Sequence, residues 1–103
     1  MVLNAEDLTI HAVNPAYKQL LGTRDIMNLP LTAVFSGTDV DRLIKDLKSA
    51  VRKGESVNTA PLEASINGDD GADSRRFVHT IVPISDSTGA NISRLFVYSE
   101  RVG

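Results

Sequence analysis

The segment from Ile10 to Gly22 restricts the possible folds of this chain more than any other. A half-alternating apolar run, Ile10-His11-Ala12-Val13, stops at Asn14-Pro15. A short amphipathic stretch from Ala16 to Leu21 follows, and Gly22 closes it. Asn14 can accept hydrogen bonds from the free amides of a following helical turn. Pro15 has its φ preset for the first helical position and has no amide to leave unpaired. Gly22 can take the left-handed conformation that ends a helix. The spacing therefore predicts a strand that passes directly into a short capped helix near the chain start.

The remaining elements follow from the period of the apolar residues. Met1 to Asn4 reads as a short strand and Ala5 to Asp7 as the turn into Leu8 to Val13, a hairpin with Asp7 as turn residue. After the helix Pro15 to Leu21, Thr23 with Asp25 signals another helix start over Thr23 to Leu29, bounded by Pro30. Leu31 to Phe35 reads as a helical turn. The clearest helix runs from Asp39 to Lys53, where Val40, Leu43, Ile44, Leu47, Ala50 and Val51 form one apolar stripe. Thr38 is its expected cap with Asp41 answering it, acid opens it, Arg52 and Lys53 close it, and Gly54 ends it. Beyond Gly54 the period changes to two. Val57 to Ile66 alternates, with Ala60, Leu62, Ala64 and Ile66 on one face, and a polar loop spans Asn67 to Ser74. Arg75 to Ile84 reads as a strand, Asp86 to Ala90 as a turn, and Ile92 to Val102 as the last strand. Strands, helices, then strands again predict an α+β domain. Its five-stranded antiparallel sheet has helices inserted between strands 2 and 3 and covering one face.

With 103 residues the chain has room for a single domain, and its composition is that of an ordinary globular protein. The net charge is −2 and basic residues pair only at Arg52-Lys53 and Arg75-Arg76, so the footprint of a nucleic-acid binder is missing. The absence of cysteine removes disulfides, thiolate nucleophiles and sulfur-ligated metals together. No apolar run approaches the roughly 20 residues that cross a bilayer, and no secretory signal opens the chain. These features predict a cytoplasmic domain without direct membrane contact.

Three segments carry a resemblance to a known family. Ile10 to Gly22 looks like a strand, Asn-Pro, helix and Gly. The long helix ends in Lys53-Gly54-Glu55 ahead of three strands, and Val82-Pro83-Ile84-Ser85-Asp86-Ser87-Thr88-Gly89 matches a Pro-Ile-x-Asp-x-x-Gly turn. In this order they resemble the PAS (sensory-box) family across nearly the whole chain, 1–103. The end departs from that pattern: Ser99-Glu100-Arg101-Val102 stands where the family often carries an Asp-Ile-Thr-like exit. The resemblance implies a sensory domain of a larger signalling protein, foremost a bacterial sensor histidine kinase of a two-component system, that couples a small ligand or partner to an output domain. The alternative is a ligand-free dimerisation or interaction module of a diguanylate cyclase, chemoreceptor or transcription regulator. A small α+β enzyme is the remote alternative.

Little in the chain points to catalysis. His11 and His79 are the only side chains that titrate near neutrality unperturbed, and neither has a nucleophile beside it in sequence. No phosphate loop or zinc motif occurs, so no catalytic residue is assigned and the domain is expected not to be an enzyme. Asn67, Asp69, Gly71 and Asp73 alternate like a calcium loop, but the Gly is misplaced and no Glu closes it, so no metal is expected. The family's covalent flavin needs a cysteine, and its haem usually takes a histidine from the long helix. Both groups are disfavoured, and a noncovalent small molecule is the remaining kind of ligand. The inner face of such a fold would gather Tyr17, Leu21, Leu43 and Leu47 from the helices with Leu62, Phe77, His79, Ile81 and Phe96 from the strands. Tyr17 and His79 are its polar groups, and a plain filled core is the competing reading. Both faces of the last two strands are apolar, although a sheet covered on one side should be polar on the other. Val78, Thr80, Val82, Leu95 and Val97 are therefore expected to form an outer face that joins two copies as a homodimer.

Overall fold

The structure is a computed structural model and describes residues 1–15, 25–37, 39–66 and 75–102. The expected helix beyond Pro15 with its Gly22 end, the Thr38 cap and the loop 67–74 lie outside these residues. The elements are β1 (Val2–Asn4), β2 (Ile10–Ala12), α1 (Leu31–Val34), β3 (Phe35–Ser36), α2 (Val40–Lys53), β4 (Val57–Asn58), β5 (Leu62–Ile66), β6 (Arg75–Ser85) and β7 (Ile92–Arg101).

The β6–β7 hairpin is the axis of the sheet. Its turn is built by Asp86, whose carboxylate accepts from the Thr88 amide at 3.0 Å and the Thr88 hydroxyl at 2.6 Å. Those bonds hold the Asp86 carboxyl below the usual carboxylate range. The Gly89 amide donates to the Asp86 carbonyl at 3.0 Å, and the φ of +73° at Gly89 is one that side chains resist. Next to this turn Ser85 pairs with Ile92, the register shifts by one residue between Ser85 and Ile84, and the pairing then runs without interruption from Ile84↔Arg94 to Phe77↔Arg101. β1 joins the far edge of β7, β2 joins β1, and β5 joins β6, so the order β2-β1-β7-β6-β5 is antiparallel throughout.

The sheet has seven strands where five were expected, because two further strands are only two residues long. β3 pairs with β5, and β4 pairs with β6. The single expected strand 57–66 is divided into β4 and β5 by residues 59–61. Pro61 within that break has no amide to donate to a ladder.

The helices mostly follow the apolar pattern. In α2 the side chains of Val40, Leu43, Leu47 and Ala50 are buried, as the stripe predicts. Gly54 ends it at φ +66°, its amide donating to the Ala50 carbonyl at 2.9 Å. α1 supplies the expected turn at Leu31–Val34, but Phe35 enters β3. The helix expected over Thr23 to Leu29 is absent from its described part, 25–29. There the Asp25 carboxylate accepts from the Met27 amide at 3.1 Å and Asn28 sits at φ +65°, so a local side-chain bond forms a turn instead.

The core lies between α2 and the inner face of the sheet, where Leu3, Ile10, Val34, Leu47, Ile81, Leu95 and Val97 are essentially free of solvent. Leu95 and Val97 correct the expectation that they face outward. Val97 lies opposite Ile81, and Leu95 lies opposite Leu3, so both point inward. Phe96 instead pairs with Val82 and Val2, and Tyr98 with Thr80; the two are 42% and 53% exposed. With apolar residues on both faces, alternation alone does not choose the inner one, and only the pairing register does. We expect Leu95→Ala to cost about 2–5 kcal/mol in urea unfolding and Phe96→Ala less than half as much. Equal losses would contradict this assignment.

Candidate ligand cavity

A cavity of about 570 Å³ opens between the start of α2 and the inner face of the sheet. Val40 and Leu43 of α2 form one side, with Leu31 and Phe35 next to them. Leu62 and Glu63 of β5, Phe77 and His79 of β6, and β7 from Phe96 to Ser99 form the other. Val13 and Asn14, just past β2, complete the described wall together with residues at the chain start. The apolar side chains dominate, and the polar groups are few: Asn14, Asp39, Glu63, His79, Tyr98 and Ser99, with the Met1 ammonium, which donates to the Val97 carbonyl at 3.1 Å.

His79 is placed by strand geometry. Phe77, His79 and Ile81 share the inner face because they alternate along β6. The fixed register sets Ser99 directly across from His79, and Nδ1 of His79 lies 2.6 Å from Ser99 Oγ. The His79 backbone is fixed from the opposite side, its amide donating to Thr59 Oγ1 at 3.1 Å and its carbonyl accepting from the Thr59 amide at 2.9 Å. The Phe77 ring lies 6.0 Å away, tilted by 32°. His79 is only 7% exposed, and burial pushes its pKa down to about 4. The imidazole is therefore neutral at pH 7.

Asp39 stands at the head of α2 without capping it. Its Oδ2 accepts from the Glu63 amide at 2.9 Å, and its Oδ1 lies 3.8 Å from Arg42. The carboxylate thus ties the first turn of α2 to strand β5 across the cavity rim. Glu63 is exposed and pairs with Arg76 at 3.4 Å, a surface contact worth little.

Of the residues expected in a pocket, Leu43, Leu62, Phe77, His79 and Phe96 border the cavity. Phe96 is at the same time partly exposed on the outer side. Leu47 and Ile81 belong to the solvent-free core, and Tyr17 and Leu21 lie outside the described residues. Sequence reasoning missed Ser99 and Asp39. Nothing local marks Ser99: the turn sets Ser85 against Ile92, and the one-residue register shift between Ile84 and Ser85 is what brings 99, rather than 98, opposite 79. Nothing local marks Asp39 either as bonding Glu63, which lies 24 residues away. The other histidine, His11, is exposed, and no group of three metal-ligating side chains occurs among the described residues.

Burial of a neutral imidazole makes stability depend on pH. The unfolded chain binds a proton at His79 near pH 6.5, whereas the folded chain resists doing so until about pH 4. This contribution is full above pH 6.5 and declines as pH falls to 4, by a total on the order of 3 kcal/mol. We expect urea unfolding of His79→Gln to lose less stability over this interval than the wild type. Parallel curves for the two proteins would contradict the burial of a neutral His79.

No family model and no curated protein sequence matches the chain. Solved structures do. The PAS-B domain of Drosophila melanogaster Cycle with bound ethylene glycol superposes with a TM-score of 0.78 at 11% identity, covering 98% of this chain and 96% of that one. A tryptophan-to-alanine variant of the same domain with bound glycerol gives the same values. The light-state structure of the blue-light photoreceptor Aureochrome1 LOV gives a TM-score of 0.65 at 17% identity, with 99% and 79% covered. Agreement over nearly the full length, together with the β2-β1-β7-β6-β5 order, shows that this chain is a domain with the PAS fold.

Proposed function

We propose that this domain senses a small molecule held noncovalently in the cavity and passes its occupancy to an attached output domain. The observation that carries the reading is the apolar cavity of about 570 Å³ with one buried imidazole in its wall. Ligand sites commonly occupy about 300–1,000 Å³ and combine apolar walls with a few placed polar groups. The solved structures of like fold include a Cycle PAS-B domain with ethylene glycol or glycerol bound and a photoreceptor domain, which supports a role in detection. A sensor histidine kinase is the proposed parent, on the strength of the family resemblance.

Coupling follows from where the cavity lies. Its walls come from α2 and from β5, β6 and β7, and Asp39 bonds the head of α2 to β5. A ligand that prefers one packing of α2 on the sheet shifts the population of packings by its difference in affinity between them. Self-association is the second part of the proposal, and it rests on the exposed apolar outer face. Val82, Ile84, Phe96 and Tyr98 are each 37% or more exposed there, alongside the half-buried Val78 and Thr80.

A ligand at about a hundred times its dissociation constant should stabilise the fold by roughly 2.7 kcal/mol. We expect a thermal-shift screen of small apolar molecules to find such compounds, and Leu43→Trp, which fills the cavity, to abolish their effect while the protein stays folded. A screen without hits, together with a native mass spectrum showing only the bare polypeptide, would contradict ligand sensing. For self-association, sedimentation should show a dimer at micromolar concentration that Tyr98→Glu dissociates. A wild-type monomer would contradict it.

A further inference from the structure

We infer that His79 is the hydrogen-bonding anchor of the cavity, and that its ligand is an uncharged, mostly apolar molecule carrying a hydroxyl group. The inference rests on the proposed ligand-binding reading and specifies its chemistry.

The imidazole has two nitrogens and only one is engaged. Nδ1 lies 2.6 Å from Ser99 Oγ, whereas Nε2 has no hydrogen-bond partner among the described residues. No side-chain nitrogen or oxygen of the described residues is both unpartnered and sealed from solvent. Nε2 therefore opens onto space. Because His79 is 7% exposed and forms part of the cavity wall, that space is the cavity. A ring this deeply placed, backed by Ser99 and held by Thr59 at both its backbone amide and its backbone carbonyl, offers a fixed polar point inside an apolar chamber.

The surrounding charges decide what the point recognises. His79 is neutral and brings no positive charge to attract an anion. Asp39 and Glu63 stand on the cavity wall, and the cations beside them, Arg42 and Arg76, already pair with these two carboxylates. An anion would lose its hydration among Leu43, Leu62 and Phe77, and the one further cation on the described wall, the Met1 ammonium, already donates to the Val97 carbonyl at 3.1 Å and is pushed toward its neutral form by burial. A cation would meet carboxylates already engaged by an arginine each, and would also have to desolvate among Leu43, Leu62 and Phe77. A hydroxyl avoids both costs. It donates and accepts, so it matches Nε2 whether that nitrogen carries the proton or the lone pair.

The test is a matched probe series of naphthalene, 2-naphthol and 2-naphthoate titrated into isotope-labelled protein. We expect 2-naphthol to bind about tenfold more tightly than naphthalene, the worth of one hydrogen bond in a dry site, and 2-naphthoate to bind most weakly. In His79→Phe the advantage of 2-naphthol over naphthalene should vanish while naphthalene still binds. The wild-type protein gives an independent reading: the Nε2 resonance of His79 should shift on adding 2-naphthol and stay put on adding naphthalene. Equal affinities for naphthalene and 2-naphthol, an unmoved Nε2, or tightest binding of 2-naphthoate would each overturn the anchor and leave the sensing reading standing. Failure of all three probes to perturb the cavity residues would overturn both.

Discussion

The pairing register of β6 with β7 is the constraint on which the rest of the structure depends. A shift by a single residue would turn every side chain of β7 to the other face. Leu95 and Val97 would leave the core, Phe96 and Tyr98 would enter it, and Ser99 would no longer face His79. Two features fix that register: the turn at Asp86 to Gly89, with a carboxylate bonded twice to Thr88 and a glycine in the left-handed region, and the one-residue shift between Ser85 and Ile84 that follows it. The polar contacts at the tip of one hairpin and the register shift beside them thus determine which apolar surface the helix covers and which is left to solvent.

Much of the fold was legible in the sequence because local signals agreed with tertiary packing. The stripe of α2 and its Gly54 end, the Asp86 turn and the succession of strands, helices and strands appear as expected. What was illegible has physical causes. On β7 the residues 95 to 98 are all apolar, so hydropathy is silent about which face is inner. The Thr23–Asp25 signal resembles a helix start, yet Asp25 spends its side chain on the Met27 amide, which favours a turn. Alternation alone suggested an unbroken strand over 57–66 and took no account of Pro61, whose missing amide in a ladder explains the break into β4 and β5.

The candidate site shows the same division. The inward direction of Phe77, His79 and Ile81 follows from alternation along one strand. The partners of those residues do not, because Ser99 and Thr59 reach His79 from other strands, and Asp39 reaches Glu63 across the gap between helix and sheet. Alternation placed an imidazole on the inner face. The cross-strand contacts bury it, hold it neutral and leave one nitrogen facing open space. This combination gives a mostly apolar cavity a chemical preference.

Methyl and aromatic nuclear Overhauser spectra test the central claim most directly. The account predicts cross-peaks between the methyl groups of Ile81 and Val97 and between those of Leu3 and Leu95, the pairs that the register sets side by side. Cross-peaks from Ile81 to the Phe96 ring in their place, with Val97 open to a soluble paramagnetic probe, would contradict the register and the cavity built on it.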